Sequence, residues 1–375
     1  MTVLLLHSSS DEYGASKILL GTVRLLLQKN HRVLVVLSAE GPLVSSLENA
    51  GARVIIQPLG ILRRKYFNIS GFFNRLLTLT RAVKKLQALM RKEAIELVIS
   101  NTTGVLAGAF AANKIGVRHI WHVHEIIEHP RWMKKIIGYL LNRYASSIIA
   151  VSEAVKNSWQ SVVAADKITV IHNGIDYSPY LESTASLRGE LHLPSDALVI
   201  GMVGRVHYWK GQSYFLSIAG KLHREFPQLR FLMAGDAFPG YEYLYEELAA
   251  QIKELELGAV VHQLGFRKDI PAVMQTIDLL LLPSQQPDPF PTVILEAMAS
   301  AQPVIATQFG GAVEMIEQGV TGDFIPPDDA EQAAAVIRNW LDSSRLAAAG
   351  KAGRVRVLEK FSLSNWEEKM IKCLQ

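Results

Sequence analysis

The stretch that most constrains this 375-residue chain is Leu279–Thr307, LLLLPSQQPDPFPTVILEAMASAQPVIAT. Leu279–Leu282 is a continuous apolar run, too short for a helix and suited to a strand covered on both faces. Three prolines follow within five residues (Pro287, Pro289, Pro291) and keep the next loop stiff and extended. Thr292–Ser300 has helical composition, and Val304–Ala306 returns to strand. This order delivers Asp288 and the first N–H groups of a helix to the carboxyl edge of a parallel sheet. That edge is where α/β proteins bind ligands, and a helix start attracts anions. Asp288 and Glu296, eight residues apart, bracket the site. On spacing alone they also fit a solvated loop acid followed by an ordinary helical glutamate.

The length suits two domains with separate cores. A hydrophobic content of 49% with 20% charged residues marks a soluble globular chain. The single cysteine, Cys373, excludes an internal disulfide framework and fits a reducing compartment. MTVLLLH lacks the basic start and cleavage site of a signal peptide. No apolar run approaches the roughly 20 residues of a spanning helix, so a cytoplasmic location is expected.

The net charge of +4 conceals an asymmetry. Residues 1–175 hold 22 Lys and Arg against 10 Asp and Glu, and the remainder hold 17 against 25. Much of the excess lies in Arg63–Lys92, with nine basic residues and no acidic one. Mixed there with Leu76, Leu77 and Leu79, the basic residues suit an anionic membrane surface. The segment reads as two helical pieces separated around Ser70–Gly71. Arg131–Arg143 (within WMKKIIGYLLNR and its flank) repeats the pattern. Nucleic acid is not expected, because the aromatics alternate with aliphatics as packing residues do.

Alternating strands and helices from Thr2 describe a Rossmann-like first half, with Gly14 where the loop after the first strand enters a helix. No GxGxxG is present, so a dinucleotide cofactor is not supported. The strand His119–Val123 runs into HVHEIIEH. His122 and His124 share a strand face, but no thiolate or ordered carboxylate completes a metal set, and a single histidine presented to a cleft is the expectation. HNGID (His172–Asp176) reads as an interdomain hinge, giving domains 1–175 and 176–361. In the second, Gly201 and Gly204 flank a strand end, and Arg205 and Lys210 project from the following loop. Two cations five residues apart in a Gly-bounded loop suit a diphosphate.

With these residues in place, the chain resembles the retaining GT-B glycosyltransferases of group 1 (family 4). The likeness rests on an ordered series: GxxGR from Gly201, KG at Lys210, LGF at Leu264, PSxxxDPFPTVILEAMASAxPVIAT from Pro283, GGxxE from Gly310 and GxxG from Gly319. VSEAVK, HNGID and YGAS are also similar to the family. The resemblance implies an α/β fold of two facing Rossmann-like domains with parallel sheets and an interdomain cleft. It also implies a last helix, within 362–375, crossing back to the first domain. Arg205 and Lys210 would hold the diphosphate, Glu296 the ribose hydroxyls, and Asp288 the sugar hydroxyls. Phe266 and Arg267 would line the base pocket, and the N–H groups of Thr292 and Val293 would meet phosphate. Gly204, Phe290 and Pro291 fall among the donor-binding positions. Gly14 would give phosphate room, and His124 would approach the donor sugar.

The implied activity is metal-independent, retaining transfer from a nucleoside-diphosphate sugar to a glycan or lipid-linked acceptor, without a cofactor, in bacterial cell-surface polysaccharide assembly. The enzyme would then sit in the cytoplasm, peripheral to the inner face of the membrane. A non-catalytic nucleotide-sugar-binding subunit, or another GT-B enzyme such as an epimerase or phosphorylase, is the alternative. Asp288 stands where the family usually has Glu, and Pro291 where it usually has Gly. Both imply altered donor-sugar choice rather than inactivity.

Overall fold

The computed structural model describes residues 1–61, 69–238 and 240–374, without the side chains of 69–73. Arg63, Arg64 and Lys65 of the basic segment therefore lie outside the described residues. The chain divides into two compact units, 1–173 with 367–375, and 174–366. The helix Leu363–Leu374 begins in the second and ends in the first.

The first unit is built on seven strands: β1 (Thr2–His7), β2 (Arg32–Leu37), β3 (Arg53–Ile56), β4 (Leu97–Ser100), β5 (Arg118–Val123), β6 (Ser147–Ala150) and β7 (Ile168–Val170). They pair in parallel in the order β3-β2-β1-β4-β5-β6-β7. Leu4, Leu5, Val35, Val36 and Val98 are fully buried, as expected for strands covered on both faces. Arg118, at the start of β5, donates to the carbonyls of Leu374 at 3.1 Å and Cys373 at 2.9 Å, tying down the end of the last helix.

The second unit has six parallel strands: β8 (Val199–Val203), β9 (Arg230–Ala234), β10 (Val261–Gln263), β11 (Leu279–Leu282), β12 (Val304–Thr307) and β13 (Gly322–Ile325). Their order is β10-β9-β8-β11-β12-β13. Helices alternate with strands in both units, the doubly wound, Rossmann-like α/β arrangement expected from the sequence.

Each sheet has a point where the strand order reverses: β1 against β4, and β8 against β11. Successive crossovers leave such a pair in opposite directions, so the loops after the two strands diverge and open a crevice. The loop after β8 carries Arg205 and Lys210 and the loop after β11 carries Asp288, while His124 follows β5 and Arg267 follows β10.

The described part of the basic segment is one helix, Ile69–Lys92, with Ser70 and Gly71 in its first turn; the helical piece expected before them lies outside the described residues. A glycine costs a helix only about 1 kcal/mol. The buried stripe Ala82, Val83, Leu86 and Met90 holds the element against the core of the first unit.

Candidate active site

At the reversal point of the second sheet, β8 leads into Gly204 and Arg205, then the turn Tyr208–Lys210 and the helix Gln212–Glu225. Gly211 joins turn to helix with φ of 85°. A Cβ there would stand 2.0 Å from the carbonyl oxygen of Pro283, the first residue after β11. The loops after β8 and β11 are thus pressed together, and only glycine permits the contact. This approach brings the ammonium of Lys210 onto the carboxylate of Asp288. The side chains are 18% and 12% exposed, so the pair is largely removed from water. Lys210 also lies over the Trp209 ring at 4.6 Å, and Arg205 over the Phe238 ring at 4.8 Å.

The Asp288 loop is held from behind. Gly311 N–H donates to the Asp288 carbonyl at 2.8 Å, and a Cβ on Gly310 would come within 2.3 Å of that same oxygen. Pro291 caps the helix Thr292–Ala299 and offers it no side-chain acceptor, and Thr292 and Val293 are half-buried at its first turn. The neighbouring Phe290 ring is buried against Phe361, with centroids 5.7 Å apart.

Glu296, one turn further along this helix, is 3% exposed. Its carboxylate takes a hydrogen bond from the Tyr180 hydroxyl, and Tyr180 lies on the helix Ser178–Glu182. Burial first, and the Glu296 charge second, push that hydroxyl well above the usual tyrosine range.

Phe266 follows β10 and is 44% exposed. The Arg267 guanidinium is engaged by Asp269 and Glu190, at 2.6 and 2.9 Å, which hold it above its ordinary pKa. A small cavity of about 30 Å³ lies beside them, lined by Gly204, Val206, Gln212, Gly235, Tyr245 and Gly265.

In the first unit the corresponding crevice gathers His7, Ser16, Asn101 and His124. Gly14 opens the helix Gly14–Gln28, and Asp11 accepts hydrogen bonds from Tyr13 N–H and Ser16 Oγ, both at 3.1 Å. His124 Nε2 lies 3.0 Å from Asn101 Oδ1. The His122 and His124 rings are 4.2 Å apart. Burial holds the His122 pKa down to about 3, with His7 adding to the effect, and neither of its ring nitrogens has a hydrogen-bond partner. His124 is lowered well below the usual range, by burial first and then by His122 and His7. Glu125 accepts from the N–H groups of Thr103 and His124, each at 3.1 Å, yet burial pushes its carboxyl up to about 7. Among the described residues, no group of three His, Cys, Asp or Glu side chains is arranged to hold a metal ion.

Sequence reading missed Asn101 and Tyr180, and it placed Glu125 at the carboxyl end of β5 without a role. Asn101 stands directly after β4, a placement that does signal a ligand-side position in a parallel sheet.

Two family models match the chain in tandem: Glycosyltransferase Family 4 over residues 13–178, and Glycosyl transferases group 1 over residues 183–356. The chain belongs to the group 1 glycosyltransferases. It is 27% identical to the alpha-maltose-1-phosphate synthase of Mycolicibacterium smegmatis over 78% of this chain and 82% of that one. The capsular polysaccharide biosynthesis glycosyltransferase CapM of Staphylococcus aureus is 25% identical over 93% of this chain and 91% of its own. Among solved structures, Anabaena HepE in complex with UDP-glucose superposes with a TM-score of 0.88. It is 29% identical and covers 100% of this chain and 99% of its own.

Proposed function

We propose that this glycosyltransferase moves a hexose from a nucleoside-diphosphate sugar to a hydroxyl of a glycan or lipid-linked acceptor, with retention of configuration and without a metal. The observation that carries this reading is the Lys210–Asp288 pair at the reversal point of the second sheet, at the approach to the helix Thr292–Ala299. Breaking the bond between sugar and diphosphate leaves negative charge on the leaving group, and rate comes from stabilising that charge. Lys210, Arg205 and the N–H groups of Thr292 and Val293 are the donors for it.

In this reading, donor binding exchanges partners. Phosphate takes the Lys210 ammonium, and the released Asp288 carboxylate accepts from a sugar hydroxyl. Glu296 accepts from the ribose hydroxyls in place of Tyr180. His124 approaches the donor sugar, and Gly14 leaves space for phosphate. The acceptor hydroxyl attacks the face the diphosphate leaves, and a leaving-group oxygen takes its proton. UDP is the nucleotide of choice, because the 29%-identical Anabaena protein was crystallised with UDP-glucose.

The acceptor reading rests on the helix Arg131–Tyr144. Its outer face exposes Trp132, Ile136 and Tyr139 by 56, 52 and 64%, among the exposed Arg131, Lys135 and Arg143. Apolar rings and cations on one wet face fit an anionic lipid surface, the place of a lipid-linked acceptor. No helix of the described residues is long and apolar enough to cross a membrane; in this reading the enzyme sits peripherally, at the cytoplasmic face. The likeness to CapM supports surface polysaccharide as the product class.

A thermal-shift panel of nucleoside diphosphates and their sugars, followed by NMR of the anomeric centre in the product, tests this reading. Stabilisation by UDP and UDP-hexose, with an α-linked product from an α-linked donor, is expected. An inverted product, or no response to any nucleotide, overturns it.

A further inference from the structure

The hydrogens of the first-unit crevice can be assigned one at a time. The carbonyl of Ala15 only accepts, so the Asn101 amide atom facing it at 3.2 Å is Nδ2. The atom facing His124 is therefore Oδ1, which cannot donate, and His124 Nε2 carries the hydrogen of that 3.0 Å bond. The second Nδ2 hydrogen points to His7 Nδ1 at 3.1 Å. His7 Nε2–H then donates to Ser16 Oγ at 3.1 Å, and the Ser16 hydrogen goes to Asp11 Oδ1 at 3.1 Å. His7 Nδ1 is also 3.1 Å from the Asn101 backbone oxygen. A hydrogen placed there would reverse the Ser16 bond and leave two bare oxygens facing each other at Asp11. The Asp11 carboxylate thus sets the direction of the Ser16 and His7 bonds, as the Ala15 carbonyl sets that of Asn101 and His124.

We propose that Asn101 is a positioning residue for transfer. It fixes His124 in the Nε2–H tautomer, with the lone pair on Nδ1, and ties that ring through Ala15 to the first turn of the helix Gly14–Gln28. The inference deepens the function proposed above and rests on its placement of His124 at the donor sugar. The network is buried: Asn101 is 1% exposed, and His7 and Ser16 are each 1% exposed. Burial holds both His7 and His124 below the usual histidine range, consistent with neutral rings bonded in one direction. An alanine at 101 leaves His124 free to take either tautomer, and leaves the Ala15 carbonyl and His7 Nδ1 without their donors.

The test is long-range ¹H–¹⁵N NMR of the full chain labelled with ¹⁵N-histidine, the His124 signals assigned by their loss in His124→Ala. Wild-type His124 is expected as Nε2–H, and Asn101→Ala is expected to give a mixture of tautomers. In the same variant kcat should fall by roughly 10- to 100-fold, the range that orienting groups carry at other sites, with the donor KM changed far less. Asn101→Asp keeps an acceptor for Nε2–H but adds charge, so it should raise the His124 pKa by about a unit or more and move the acid limb of the kcat profile with it. A wild-type ring protonated on Nδ1 overturns the proposal even if both variants fail to fold. So does an Asn101→Ala ring that keeps the wild-type tautomer, and in that case an inactive His124→Ala leaves the transfer reading standing. If the tautomer changes while kcat is untouched in both Asn101→Ala and His124→Ala, His124 does not serve the reaction, and Asn101's role in it falls too.

Discussion

The ammonium of Lys210 sits on the carboxylate of Asp288, 78 residues further along the chain, and the contact joins the two strands between which the second sheet reverses. A largely buried pair of this kind is costly to break from one side, because the remaining charge keeps its desolvation penalty. The two residues therefore act as one element.

Lys210→Ala is expected to lower turnover by about 10²–10³, as loss of one oxyanion donor does elsewhere. Asp288→Asn should cost less in nucleoside-diphosphate affinity than in sugar transfer, since it frees Lys210 for phosphate. Titration calorimetry with UDP, set beside kcat for the UDP-sugar, separates the two. Equal losses in binding and turnover would argue against the exchange of partners.

Tyr180→Phe removes the hydroxyl bonded to the buried Glu296. A hydrogen bond to a charged group contributes about 1.5–3 kcal/mol, and the variant should lose roughly that. Ribose hydroxyls should restore part of this, so saturating UDP should stabilise the variant more than the wild type. Urea denaturation with and without UDP reads the difference.

Glu125 gives the protein a pH signature. Its carboxyl is raised from 4.5 to about 7 in the fold, so the folded state binds more protons than the unfolded chain between those values. Stability from this group is full below about pH 4.5 and is lost as pH rises towards 7, by at most about 1.4 kcal/mol per unit. His7, His122 and His124, all lowered in the fold, act in the opposite direction as pH falls below 6.5. The measurement is therefore a difference. Wild type minus Glu125→Gln should decline in unfolding free energy from pH 4.5 to 7, and a flat difference contradicts the assignment.

Gly310→Ala places a side chain at φ of 65° and within 2.3 Å of the Asp288 oxygen. The left-handed backbone alone costs about 1–2 kcal/mol, and displacement of the loop should weaken donor binding as well. Gly189→Ala, with no atom within 4 Å, is the control and should be neutral. Denaturant midpoints and UDP titration decide the matter.

Replacing Trp132, Ile136 and Tyr139 together by serine should abolish flotation with anionic vesicles and leave transfer to a soluble acceptor analogue intact. Unchanged flotation would remove the helix Arg131–Tyr144 from the membrane reading.

Apolar runs made most of the fold legible: Leu279–Leu282 is a strand with the limits its composition suggests, and the helix after it starts at Thr292 as expected. The helix Ile69–Lys92 starts beside the Ser70–Gly71 signal, and its place is set by the buried stripe Ala82, Val83, Leu86 and Met90. The identities of Arg205, Lys210 and Asp288 could be read from a cation pair and a proline-bound acid. Their pairing could not, since it depends on strand order rather than on sequence spacing. Asn101 and Tyr180 carry no motif, and their importance arises only from the partners the topology gives them.

The double glycine behind the acid-bearing loop has a practical meaning for redesign. With the backbone of residues 310 and 311 filling the space under Asp288 and Pro289, that loop has nowhere to move. A change of hexose preference must then come from the length and chemistry of the side chain at position 288, and a search among loop insertions or deletions there would only unseat it.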